Sequence, residues 1–90
     1  MAEQLEAQFQ QASQDVVKLP KAPDNDVKLQ LYALYKQGSA GDCTGERPGM
    51  LDFVGRVKYD CWKKLAGTSQ EDAMQQYIDL VEKLKAEASS

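Results

Sequence analysis

Apolar residues recur at steps of three and four in four separate stretches of the chain. Leu5, Phe9, Ala12, Val16 and Leu19 share one face, which predicts a helix over about residues 4–19 that Pro20 and Pro23 must end. Asp24 or Asn25 can cap the next start. Val27, Leu31, Leu34 and Tyr35 then follow at helical spacing until Gly38 and Gly41 interrupt it, predicting helix two over about 25–38. From Gly38 to Met50 the periodicity is lost, and four glycines and Pro48 read as a loop, with Pro48-Gly49 suited to the centre of a type II turn. A connection that long is either functional or a plain crossover between non-neighbouring helices.

Asp52 can cap a third helix running to about Ala66, with Val54, Val57, Cys61 and Leu65 as its apolar stripe and Gly67 as its stop. Thr68-Ser69-Gln70-Glu71 reads as a capping box, and Ala73, Tyr77, Val81, Leu84 and Ala88 mark helix four, its apolar face widened by Met74, Ile78 and Leu80. The tail Ala88-Ser89-Ser90 is expected to fray. No stretch alternates as a half-buried strand does, so the fold class is all-α, a four-helix bundle. Ninety residues make one domain, 1–90, and exclude a multidomain enzyme.

Charge changes this picture locally. The formal net charge of −3 argues against nucleic acid as a partner. Residues 47–70 nevertheless carry Arg47, Arg56, Lys58, Lys63 and Lys64 against Asp52 and Asp60, a local +3 able to hold an anion. There is no histidine, which removes the commonest general base and metal ligand. Cys43 and Cys61 form neither a CxxC pair nor a zinc pattern and read as free thiols, so neither a metal nor a cofactor is expected. With no leader and no apolar run of membrane-spanning length, a cytoplasmic location is expected.

Two helix faces mix cations with apolar and aromatic groups. Leu29, Tyr32 and Lys36 line a second face of helix two, and Lys58 falls within or beside the stripe of helix three. Each lysine is either a solvated charge or an anion ligand. Tyr32, Tyr35, Tyr59, Tyr77 and Trp62 read mostly as core or rim packing, with Tyr77 mid-stripe on helix four. Lysine and tyrosine together, without a glycine-rich phosphate loop, would bind phosphates as point charges.

Beyond periodicity, Tyr32-Ala33-Leu34-Tyr35-Lys36-Gln37, Glu46-Arg47-Pro48-Gly49-Met50-Leu51-Asp52-Phe53, Lys58-Tyr59-Asp60-Cys61-Trp62 and Gly67-Thr68-Ser69 through Ala73-Met74 to Tyr77-Ile78 strongly resemble the acyl-CoA-binding protein family, over Phe9 to Leu84. The resemblance implies an up-down-down-up bundle that carries and buffers long-chain fatty acyl-CoA without turning it over. It implies that Tyr32 stacks near the adenine, that Lys36 and Lys58 hold the 3′-phosphate and its neighbours, that Tyr77 positions the nucleotide with Tyr35 in the same set, and that Leu29 lines the acyl path. The family usually has a basic residue late in helix one where this chain has Val17, and often a Lys where Val54 stands. The phosphate clamp is therefore either weaker here or shifted to Lys18 and Arg56. Ser13 takes a position that is typically alanine. An apolar mini-core between helices one and four is implied at Phe9, Val16, Leu19, Tyr77, Ile78, Val81 and Leu84. A monomer suffices for such a carrier, and acyl-CoA-using enzymes or membranes are its expected transient partners. Two other readings compete: a helical protein-interaction module that does not bind acyl-CoA, and an acyl-CoA hydrolase or transferase, which would need a histidine beside Cys43 or Cys61.

Overall fold

The computed structural model describes residues 2–89. Four α-helices form, α1 (Ala2–Val17), α2 (Asn25–Ala40), α3 (Phe53–Lys63) and α4 (Gln70–Ser89), and there is no strand among the described residues. Helix α1 stops before Pro20, its last turn closed by Lys18 N–H donating to Asp15 C=O at 3.0 Å. Of the two candidate caps for α2 it is Asp24 that acts, accepting the Val27 N–H at 3.0 Å. Asp52 caps α3 in the same way, accepting the Gly55 N–H at 2.9 Å.

Five features of the helix ends and turns differ from the sequence expectation. Gly38 does not stop α2. It sits inside the helix because a Cβ there would approach Phe9 to 3.0 Å and Met74 to 3.1 Å, so the absent side chain is what lets α1 and α4 close on α2. The helix ends instead at Gly41, whose φ of 85° no β-carbon residue adopts readily. The turn before α3 is centred on Met50-Leu51 rather than Pro48-Gly49, with Asp52 N–H donating to Gly49 C=O at 3.0 Å. Helix α3 ends at Lys63, and a tight turn carries the chain to Gly67. The cap of α4 is Ser69, whose hydroxyl accepts the Asp72 N–H at 3.0 Å, one residue later than the Thr68 box predicts. At the other end α4 runs on through Ala88 to Ser89, where fraying was expected; Ser90 lies outside the described residues.

Contacts fix the topology. Asp15 meets Lys85 while Phe9 meets Tyr77, so α1 and α4 run parallel; Phe9 reaches Gly38 and Tyr35 while Val16 and Val17 share a groove with Lys28 and Leu31, so α2 runs against both. Tyr32 faces Lys58 and Lys36 faces Trp62, which makes α2 and α3 parallel. The order is up, down, down, up. Parallel neighbours explain the long connection: α2, about 24 Å from end to end, must be retraced before α3 can start beside it. The predicted crossover thus joins neighbours rather than distant helices.

The core lies between α1, α2 and α4, where Phe9, Ala12, Leu31, Leu34, Met74, Tyr77 and Val81 are buried. Val16, Ile78 and Leu84 pack half-buried at its edge, as the mini-core positions imply, while Leu19 stands outside that cluster. Helix α3 packs on α2 alone and buries no residue fully. Its predicted stripe is accordingly split: Cys61 and Leu65 are half-buried, but Val54 and Val57 are exposed. A helix with only one neighbour has no second surface to cover them. No helix of the described residues is long and apolar enough to cross a membrane.

Candidate functional site

Helix α2 has two working faces. Leu31, Leu34 and Gln37 turn into the core, while Leu29, Tyr32 and Lys36, at steps of three and four, remain half-buried on the side that meets α3. The parallel register brings two cations to this face. Lys58 Nζ lies 5.1 Å from the Tyr32 ring centroid, and Lys36 Nζ lies 5.1 Å from that of Trp62. Neither ammonium pairs with a carboxylate among the described residues. An aromatic face holds a cation by only about 0.5–1 kcal/mol when solvent is near, so both remain available to a phosphate, which bonds an ammonium more strongly.

The surroundings hold this face in place. Trp62 Nε1–H donates to Gly41 C=O at 2.9 Å, locking the indole against the end of α2. Arg47 grips Asp60 with two bonds of 2.9 and 2.7 Å, and the Tyr59 hydroxyl donates to Gly45 C=O at 3.0 Å, so the long loop is tied to the back of α3. The Arg47 guanidinium holds the Asp60 carboxyl below its ordinary range. Fully buried Gln37 donates through Nε2 to Asp42 at 2.8 Å and to Thr68 C=O at 2.7 Å. Asp42 also accepts the Gly67 N–H at 3.0 Å, and these two bonds, Gln37 first, lower its pKa.

Depressed carboxyl pKa values have a stability consequence. Asp42 and Asp60 contribute fully above the unfolded value of 3.8, and the contribution is lost as pH falls through their lower folded values. The melting temperature is expected to drop between pH 5 and pH 2.5, and to drop less in Asp60→Asn, whose side chain no longer titrates; an identical drop in both proteins would refute the assignment.

A groove of about 480 Å³ continues from this face between α2 and α3, floored by Leu29, Ala33, Leu34, Cys61 and Leu65 and edged by Asp26, Gln30, Lys64 and Gln76 of α4. A second groove, of about 440 Å³, lies between α1 and α4, but Glu3, Glu6 and Glu71 on its walls would repel an anion.

The structure places the sequence-derived site residues in three groups. Leu29, Tyr32, Lys36 and Lys58 converge on the α2/α3 face. Tyr35 and Tyr77 sit deeper: Tyr35 stacks on Phe9 at 5.2 Å, and Tyr77, 4% exposed, meets Phe9 edge-on and Tyr35 at 5.9 Å, with burial pushing its phenol pKa up. Lys18 stands apart, sharing a shallow groove with Asp15, Lys85 and Ala88 at the far ends of α1 and α4. Val17, 80% exposed, and Val54 are solvent-facing, and Arg56 is half-buried with an Nε that has no partner among the described residues. Trp62 is the residue that sequence reasoning left in the packing class although it forms a wall of the site. Its spacing from Lys58, one helical turn, was the available signal.

The family model described as "Acyl CoA binding protein" matches residues 6–81. The chain is 49% identical over 83 residues to the acyl-CoA-binding protein homolog of Manduca sexta, covering 91% of this chain and 92% of that one. It is also 49% identical over 84 residues to enoyl-CoA delta isomerase 2 of Rattus norvegicus, covering 91% of this chain but only 22% of that longer protein. The crystal structure of Oryza sativa acyl-CoA-binding protein 2 superposes with a TM-score of 0.92 at 39% identity, over 99% of this chain and 97% of that one.

Proposed function

The chain belongs to the acyl-CoA-binding protein family, and from that premise we propose that it binds long-chain fatty acyl-CoA thioesters through the α2/α3 face and serves as their carrier and pool buffer. The observation that carries this reading is the pair of uncompensated ammonium groups, Lys36 and Lys58, each held over an aromatic ring beside an apolar-floored groove. Phosphates meet the lysines, the adenine meets Tyr32, and the acyl chain follows Leu29 along the groove. Tyr77 and Tyr35 act from beneath by supporting that face, and Lys18 adds charge at the periphery. The protein works as a single domain over 1–90, as a cytoplasmic monomer, meeting acyl-CoA-using enzymes or membranes only in passing. It is not an enzyme: no histidine exists to activate Cys43 or Cys61. The isomerase activity named for the longer rat protein is not transferred, since the matched stretch is 22% of its length.

Calorimetric titration with palmitoyl-CoA below its micelle concentration tests this. One-to-one binding is expected, weakened about ten- to a hundredfold in Lys36→Ala and again in Lys58→Ala, because a hydrogen bond to a charged group contributes about 1.5–3 kcal/mol. The ligand-free melting temperature should hardly move, as both side chains lie at the surface of the site. Absence of binding by the unmodified protein would end the proposal; lysine variants that lose stability but keep affinity would relocate the site.

A further inference from the structure

Helices α2 and α3 meet through two rungs of opposite polarity. In the first, α2 supplies the ring, Tyr32, and α3 the cation, Lys58. One turn further along both helices, α2 supplies the cation, Lys36, and α3 the ring, Trp62. The members stand four residues apart on each helix, so the rungs lie about 6 Å apart along the axes. This alternation keeps the two ammonium groups from facing each other directly across the helices. The two rings differ in standing: Tyr32 is itself a surface of the proposed site, where it meets the adenine, whereas no part of the ligand falls to Trp62.

We propose that Trp62 is a positioning residue of the phosphate site: its indole confines the Lys36 side chain to the place where a phosphate meets it. Two observations favour this over simple packing. First, the indole is itself fixed. Its Nε1–H donates to the C=O of Gly41, the residue that ends α2 with a φ of 85°, at 2.9 Å, and Gly41 N–H donates to Gln37 C=O at 3.0 Å. The next residue, Asp42, accepts from fully buried Gln37 and from Gly67 N–H, so the ring rests on a braced frame. Second, no carboxylate among the described residues pairs with Lys36. The acids nearest in sequence to Trp62 and Gly41 are Asp60 and Asp42, and both are occupied, Asp60 by Arg47 and Asp42 by Gln37 and Gly67. The ring is thus the partner that the fold supplies to this ammonium.

A lysine carries its charge on a flexible four-carbon stem and loses much of that freedom when a phosphate immobilises it. A ring that already confines the stem removes part of the loss before the ligand arrives, and affinity is gained by preorganisation. The ring does not consume the ammonium. Its face attracts the charge as a whole, while N–H groups turned away from it remain to donate to a phosphate oxygen. The role toward phosphate rests on the acyl-CoA reading; the confinement of Lys36 is a property of the free protein.

Confinement is read first, by proton NMR of the full-length, ligand-free chain. The Lys36 ε-methylene protons are expected upfield of their position in the urea-unfolded chain, because the end of the side chain lies over the indole face. Unshifted protons in the unmodified protein overturn the proposal without any variant. In titrations with palmitoyl-CoA, Trp62→Leu should weaken binding about three- to fivefold, and Trp62→Phe, which keeps an aromatic face, by less than about twofold. A double-mutant cycle then separates positioning from packing. Trp62→Leu should cost nothing further in a Lys36→Ala background, yet its full factor in a Lys58→Ala background. An equal loss in all three backgrounds, or none in the unmodified one, makes Trp62 a packing residue and sinks the assignment. Absence of palmitoyl-CoA binding by the unmodified protein would instead overturn the acyl-CoA reading, and with it the role toward phosphate, while the Lys36 shifts stood.

Discussion

Palmitoyl-CoA is expected to bind about a thousandfold more tightly than acetyl-CoA. The two ligands carry the same nucleotide and phosphates, which the proposed site offers to Lys36, Lys58 and Tyr32, so the difference reports on the acyl chain alone. Fourteen extra carbons offer about 11 kcal/mol if every methylene leaves water. The groove floored by Leu29, Ala33, Cys61 and Leu65 is open on one side, so part of the chain stays wet, and ordering a flexible chain costs free energy at every bond. If these losses take somewhat more than half, about 4 kcal/mol remains, which is the expected factor. Affinities should rise along a series of even-numbered chains and level off where the groove ends. Free CoA and free palmitate should each bind far more weakly than the thioester that joins them. Equal affinity for the acetyl and palmitoyl thioesters would show that the groove takes no part, leaving a nucleotide-phosphate site only.

Phe9→Ala is expected to lower stability by about 3–5 kcal/mol, the usual cost of removing a large buried aromatic side chain. Phe9 is 1% exposed and stands where three helices meet, stacked on Tyr35, edge-on to Tyr77 and against Gly38. Those neighbours belong to three rigid helices, so the cavity cannot collapse. A chain of this size has roughly 5–13 kcal/mol in total, and each kcal/mol corresponds to about 4–8 °C, so the melting temperature should fall by roughly 15–30 °C in a thermal scan. Phe53→Ala supplies the contrast. With 72% of Phe53 in solvent, its removal should stay within about 0.5 kcal/mol. Comparable losses from both variants would mean that the burial pattern, and with it the distinction between core and surface, is wrong. Ligand binding by residual folded Phe9→Ala should also weaken, because Tyr35 and Tyr77 lose the ring that braces them beneath the site.

Much was legible in the linear chain. Apolar steps of three and four located all four helices, since a helix that must bury one face repeats with its own pitch, and Asp24 and Asp52 announced two starts because their carboxylates can take an orphan N–H only there. The second face of α2 was legible for the same reason: Leu29, Tyr32 and Lys36 share a side that the core residues do not use. The order of whole motifs, read as a resemblance, carried the family, the up-down-down-up arrangement and the ligand class, none of which periodicity can supply.

Other features arose only in three dimensions. Gly38 reads as a helix breaker locally, yet it lies inside α2, where the close approach of Phe9 and Met74 leaves no room for a side chain. The capping box points to Thr68, yet Ser69 caps α4, and the Thr68 carbonyl instead accepts a bond from Gln37, thirty-one residues away. The stripe of α3 looks as apolar as any other, but a helix with one neighbour can bury only part of it, and so Val54 and Val57 face water while Cys61 and Leu65 do not. Placing Lys58 over Tyr32 and Lys36 over Trp62 required the parallel register of α2 and α3, a relation between segments about twenty-six residues apart. Sequence periodicity acts within one element, through backbone geometry; which elements become neighbours, and which of their faces remain uncovered, is decided by how the whole set of apolar faces packs at once.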